Sequence, residues 1–136
     1  MTGVMKKMSG KKSNTGCGSF EELYLNQAMN QLTFIKKGKY DSFTDENVNN
    51  VPVDDPKLCS YHIQQLISEI GEVLDADKRW KNFRNDKYNR DDKLYEIADC
   101  FIVLMNVAMF SGFSSEEVAN AIAEKIRVVK ERIEGQ

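Results

Sequence analysis

One histidine (His62), one tryptophan, two prolines and three cysteines are scarcities in this chain of 136 residues. With a single histidine, neither a His-rich zinc site nor a pair of Glu-x-x-His di-iron motifs can form within one chain. Cys17, Cys59 and Cys100 are odd in number, far apart and form no C-x-x-C. That is the usage of a reduced, cytoplasmic protein rather than a disulfide scaffold. Two prolines and eight glycines favour long helices over a turn-rich sandwich. No G-x-x-x-x-G-K-[ST], G-x-G-x-x-G or G-x-S-x-G occurs, which excludes the common phosphate loops and the nucleophile elbow. The longest apolar run, Cys100 to Met105, reaches Phe110 only across Asn106. It is far short of the ~20 residues that span a bilayer. The N-terminal lysines precede no apolar signal-peptide core, so the expectation is a soluble cytoplasmic protein without a membrane partner.

What is present fits one globular domain: 41% hydrophobic and 29% charged residues, with a net charge of −2. Residues 1–18 carry Lys6, Lys7, Lys11 and Lys12 and no acid, and read as a flexible basic tail. Without those four lysines, 15 basic residues face 21 acidic ones over residues 21–136, so no nucleic-acid partner is expected. Residues 19–136 read as a single all-α domain. A first helix opens at Ser19, with Glu22 completing a capping box, presents Leu25, Ala28, Met29, Leu32 and Ile35 on one face, and stops at Gly38. Residues 39–54 lack a period and are either mobile or a functional lid. Asp55 and Pro56 start a second helix, striped by Ile63, Leu66, Ile67, Ile70, Val73 and Leu74, that runs to about Trp80. The third helix, about 91–110, is apolar on nearly every side and therefore central, and Gly112 ends it. Ser114 and Glu117 cap the last helix. Nothing alternates with period two. The fold class is an all-α bundle of four to five helices, and the apolar third helix points to completion by oligomerisation.

Four carboxylates in two pairs carry the chemistry. Glu69 and Glu72 are spaced i, i+3 on the second helix, and Glu96 and Asp99 have the same spacing on the third. Two such helices packed antiparallel gather all four around one small volume. Asp99 lies in the apolar run, with no Lys or Arg between Leu94 and Phe110 to compensate it. A shared divalent cation is one remedy, and oxygen-only ligation suits Mg²⁺ or Mn²⁺. A Lys or Arg from another helix is the other. Between the pairs, Lys78, Arg79, Lys81, Arg84, Lys87, Arg90 and Lys93 outnumber the acids. A cationic segment beside an anionic metal cluster is the arrangement a polyphosphate needs. Trp80 either stacks on a base or caps the core. Asn106, two turns after Asp99, either meets sugar or base or bonds another helix. His62 reads as structural.

The stretch SEIGEVLDADKRWKN, followed by KLYEIADCFIVLMNVAMFSGFSSEEVANAIAEKI, resembles the MazG-like all-α nucleoside triphosphate pyrophosphohydrolases, which include the all-α dUTPases and dCTPases. The likeness rests on E-x-G-E (Glu69, Gly71, Glu72), on E-x-x-D (Glu96, Asp99) and on the G-F-S-S-E-E turn, and covers roughly residues 58–133. It implies Mg²⁺-dependent hydrolysis, Mn²⁺ being possible, of a nucleoside triphosphate such as dUTP or dCTP to monophosphate and pyrophosphate. It further implies Glu69, Glu72, Glu96 and Asp99 as metal ligands; spacing does not decide which of them doubles as the catalytic base, and Glu72 is the one expected to. Lys125 is implied as a phosphate ligand beside Lys81 and Arg84, with Arg132 a weaker choice. Gln27, with Asn30 and Gln31, becomes a base reader beside Trp80 and Asn106. A homodimer or homotetramer is the expected assembly. The alternative is a non-catalytic helical module that binds nucleotide or protein around a structural metal.

Overall fold

The computed structural model describes residues 18–44, 47–80 and 88–135. The basic tail and the expected phosphate ligands Lys81 and Arg84 lie outside the described residues. Four α-helices follow one another: α1 (Phe20–Lys36), α2 (Pro56–Ala76), α3 (Arg90–Met109) and α4 (Ser115–Glu134), with a short 3-10 turn (Lys78–Trp80) after α2. Among the described residues there is no strand, only an isolated bridge between Asp54 and Ser111. The fold is all-α, and no helix is long and apolar enough to cross a membrane.

Local chemistry sets the helix starts. Ser19, Asp55, Asn89 and Ser114 each turn a side-chain oxygen onto an amide of the first turn, satisfying a donor that the helix leaves open. The reciprocal capping box is complete at Ser114, where Glu117 returns the bond. α2 ends at Ala76, four residues before the expected Trp80, because Asp77 leaves helical geometry and the chain tightens into the 3-10 turn. Gly112 takes φ +85, a left-handed value that lets the chain turn sharply after α3.

α2 and α3 pack antiparallel. Near the start of α2, Cys59 Sγ lies 3.8 Å from the Val107 carbonyl late on α3, whereas just past the end of α2 Asp77 meets Lys93 on the first turn of α3. α1 packs against α3 and α4. The apolar core is two small clusters: Tyr24, Ala28 and Met109, and Tyr40, Leu58 and Phe110. The segment expected to be mobile or a lid is fastened to this core at Tyr40 and Val53. Val53 N donates to Met109 O and Asp55 N to Phe110 O, both at 2.9 Å, and Tyr40 packs edge-on against Phe110. His62 is buried and stacks on Phe110 at 5.2 Å; burial lowers its pKa to about 4, so it is a neutral core residue.

Two expected faces are rotated. On α1 the chain buries Tyr24, Ala28 and Gln31 and leaves Leu25 and Met29 exposed. On α2 it buries Leu58, His62 and Glu69, while Ile63, Ile67, Ile70 and Leu74 stand in the open. α3 likewise leaves Leu94, Phe101 and Leu104 exposed. The apolar stripes are real, but α2 turns its polar side inward because that side carries Glu69 toward α3.

Gly71 sits in the middle of α2 with open space where a Cβ would project. Nothing among the described residues requires glycine there, and a mid-helix glycine costs about 1 kcal/mol relative to alanine. Gly71→Ala is expected to raise Tm by about 2–4 °C in a thermal melt followed by circular dichroism. A fall in Tm would show that something outside the single chain approaches this position.

Candidate metal centre

The α2–α3 seam brings the four predicted carboxylates together. Glu69, Glu72, Glu96 and Asp99 each offer an oxygen, and these oxygens all lie within 4.8 Å of one another. The spacing explains the geometry: i, i+3 pairs project from one face of each helix, and antiparallel packing sets the two pairs opposite each other. Glu69, Glu96 and Asp99 are buried, Asp99 completely, whereas Glu72 faces solvent.

Buried carboxylates ordinarily find donors. Here Glu69 Oε2, Glu96 Oε2 and both oxygens of Asp99 have none. Burial drives the Glu69 carboxyl up to about 7, helped by hydrogen bonding and charge from Glu72 and by the charges of Asp99 and Glu96. Burial likewise lifts Glu96 to about 7, with Glu72 and Asp99 contributing, and raises Asp99 as well. Cys100, beside Asp99, is pushed up by burial and then by the same four acids. The cluster therefore has two ways to relieve its repulsion, taking up protons or taking up a cation. All-oxygen ligands in this number fit a hard divalent ion such as Mg²⁺ or Mn²⁺.

The other expected site residues fall in three places. Gln27 on α1 and Asn106 on α3 are brought together, Gln27 Nε2 donating to Asn106 Oδ1 at 2.9 Å while Asn30 donates to Gln27 Oε1. Asn106 is buried on the helix that carries Glu96 and Asp99, ~10 Å along the axis from Asp99. Gln31 is committed elsewhere: its side-chain oxygen accepts from the Tyr40 hydroxyl, which also contacts His62 Nε2 at 3.3 Å. Trp80 is half exposed on the turn after α2, and its indole N–H donates to Leu74 O at 2.8 Å. It does not cap the core. Lys125 is exposed on α4, on the wall of an apolar groove of ≈ 980 Å³ between α1, α3 and α4. None of the four acids lines that groove. Arg132 is exposed farther along α4.

One feature at the cluster's edge escaped the sequence reading. Asp77 accepts from Arg79 Nε and Nη2 at 2.8 and 2.7 Å and from Lys93 Nζ at 2.7 Å, and Arg79 stacks over the Tyr88 ring at 3.7 Å. The D-x-R spacing after the helix was the available signal, but the partner on α3 is visible only in three dimensions.

An all-α bundle with a four-carboxylate cluster across its central helix pair defines a class of protein in which acids, not histidines or thiols, would hold a catalytic cation. Residues 60–133 match the MazG nucleotide pyrophosphohydrolase domain, and this chain belongs to that family. No curated protein and no solved structure is similar enough to match.

The raised carboxyls make a signed prediction. Glu69 and Glu96 shift from an ordinary 4.5 to about 7, so the folded chain holds protons that the unfolded chain releases between those values. Their contribution to stability is complete below about 4.5 and is lost as pH rises through 7. Metal-free protein is expected to lose more Tm between pH 5 and pH 8 than Glu69→Gln/Glu96→Gln does. Mg²⁺ should restore the wild-type Tm at pH 8 and have little effect at pH 5, the gain reaching about 2.7 kcal/mol at a hundredfold excess over Kd. A melt at pH 8 that ignores Mg²⁺ and Mn²⁺ would count against a metal centre.

Proposed function

We propose that this chain is a divalent-metal-dependent nucleoside triphosphate pyrophosphohydrolase that cuts between the α- and β-phosphates. The products are a nucleoside monophosphate and pyrophosphate, and pyrimidine deoxynucleotides such as dUTP and dCTP are the first candidates as substrate. The observation that carries this reading is the cluster itself in a MazG-family chain: four carboxylates within 4.8 Å, one of them fully buried with both oxygens unpartnered. A solvated acidic surface has no reason to bury such a group.

Glu69, Glu72, Glu96 and Asp99 would hold the ion, which when bound supplies Lewis-acid charge at the phosphates and acidifies a coordinated water. Glu72 is assigned as the general base because it is the one member of the cluster open to solvent. It takes the proton of the attacking water as that oxygen bonds to the α-phosphorus. The bond from the α-phosphorus to the α–β bridging oxygen breaks, and pyrophosphate leaves with the electron pair. The other three carboxylates, locked between two helices, keep the site rigid and exclude bulk water.

Lys81 and Arg84, in the segment joining the two acidic helices, and Lys125 are assigned to phosphate. Gln27 and Asn106 are assigned to base or sugar, a role their pairing across α1 and α3 supports by fixing both amide planes. Trp80 offers an exposed ring for stacking. A homodimer or homotetramer is part of this reading. Ile63, Ile67, Ile70 and Leu74 on α2 and Ile122, Ile126, Val129 and Ile133 on α4 are each 45% exposed or more, a large exposed apolar surface for a lone chain. Association would also give Lys125 a route to a neighbouring cluster.

The test is a metal-dependent assay across the eight common nucleotides and dUTP that resolves monophosphate, diphosphate, pyrophosphate and phosphate. Monophosphate with pyrophosphate is expected. Diphosphate with phosphate, or no turnover by folded protein with Mg²⁺ or Mn²⁺, would overturn the proposal. Glu72→Ala and Asp99→Asn are each expected to lower turnover at least a hundredfold with the helical circular dichroism intact. Full activity in either variant removes that residue from the mechanism.

A further inference from the structure

A lysine stands one helical turn before Glu96. Lys93 and Glu96 are related by i, i+3 on α3, a spacing that makes the two side chains neighbours on the helix surface. Glu96 Oε2 is buried and has no partner, which makes a pairing of the two attractive. Lys93 instead places Nζ 2.7 Å from Asp77 Oδ2, just past the end of α2. Asp77 is well equipped to hold it. It also binds Arg79 through Nε, Nη2 and the backbone amide, and these contacts keep its carboxyl ionised far below the usual carboxylate range. No ion pair joins any of the four clustered acids to a cation among the described residues.

We propose that Asp77 is a positioning residue that keeps Lys93 out of the acidic cluster, so that the four carboxylates stay free for a divalent ion. An ammonium group within reach of Glu96 is an internal competitor for the cation position. Asp77 removes it by offering a second carboxylate that is already fixed in place by Arg79. Arg79 is in turn held over the Tyr88 ring, so the contact does not depend on one flexible side chain finding another in solvent. The same contact ties the end of α2 to the start of α3, joining the two helices that carry the two halves of the cluster.

The inference rests on the metal-centre reading, and the experiment separates the two. Mn²⁺ binding to the full chain, without nucleotide, is followed by electron paramagnetic resonance of the free ion. Asp77→Asn is expected to weaken Mn²⁺ binding roughly five-fold, because the freed Lys93 ammonium then competes with the ion at Glu96. Removing the competitor as well, in Asp77→Asn/Lys93→Met, is expected to restore wild-type affinity. Lys93→Met alone should bind Mn²⁺ at least as tightly as wild type. Unchanged affinity in Asp77→Asn overturns the proposal. So does a double variant as weak as Asp77→Asn, because the loss would then come from the missing Asp77 charge alone. Weaker binding by Lys93→Met, which tests the idea even if Asp77→Asn fails to fold, would show that Lys93 supports the cluster rather than competes with it. No Mn²⁺ binding by wild type would instead overturn the metal-centre reading beneath it.

Discussion

The repulsion among four carboxylates in the α2–α3 seam is the constraint that the rest of the structure answers. At separations under 4.8 Å, each pair of charges at a protein surface repels by about 3 kcal/mol or more. The helices nevertheless pack there, held on one side of the cluster by Leu58, Phe110 and the Cys59–Ser111 contact and on the other by the Asp77–Lys93 bridge. The cluster is thus clamped at both ends rather than stabilised at its centre. Such a site is poised: its own groups give it no neutralising partner, and protons or a cation must provide one.

This arrangement accounts for the unusual division between inside and outside. Gln31, Asp55, His62, Glu69, Glu96, Asp99 and Asn106 are all buried, matching in number the buried apolar residues Tyr24, Ala28, Tyr40, Leu58, Val103, Met109 and Phe110. Polar groups occupy the interior because both the acids and the Gln27–Asn106 pair lie along the inner face of α3. The apolar stripes of α2 and α4 face outward. The acidic interior and the apolar exterior are two faces of the same helices.

Legibility varied with the range of the interaction. The helix starts at Ser19, Asp55 and Ser114 were readable because a cap is a contact over three residues. The grouping of Glu69, Glu72, Glu96 and Asp99 was readable because i, i+3 spacing leaves few ways for two packed helices to arrange them. The rotated faces of α1 and α2 were not, since periodicity marks an apolar stripe without saying whether its own chain or another buries it. The anchoring of Val53 and Asp55 was also hidden, because their bonds to Met109 and Phe110 cross more than fifty residues of sequence.

By itself the sequence determined the all-α class, the four helices and the two carboxylate pairs, all consequences of spacing and of chemistry within a few neighbours. Only the tertiary structure decided which way each helix turned, that Gln27 and Asn106 meet, that Trp80 faces outward, and that Asp77 pairs with Lys93. A side chain with several acceptable partners chooses among them by which one the packed backbone brings within about 3 Å, and that distance is not written along the chain.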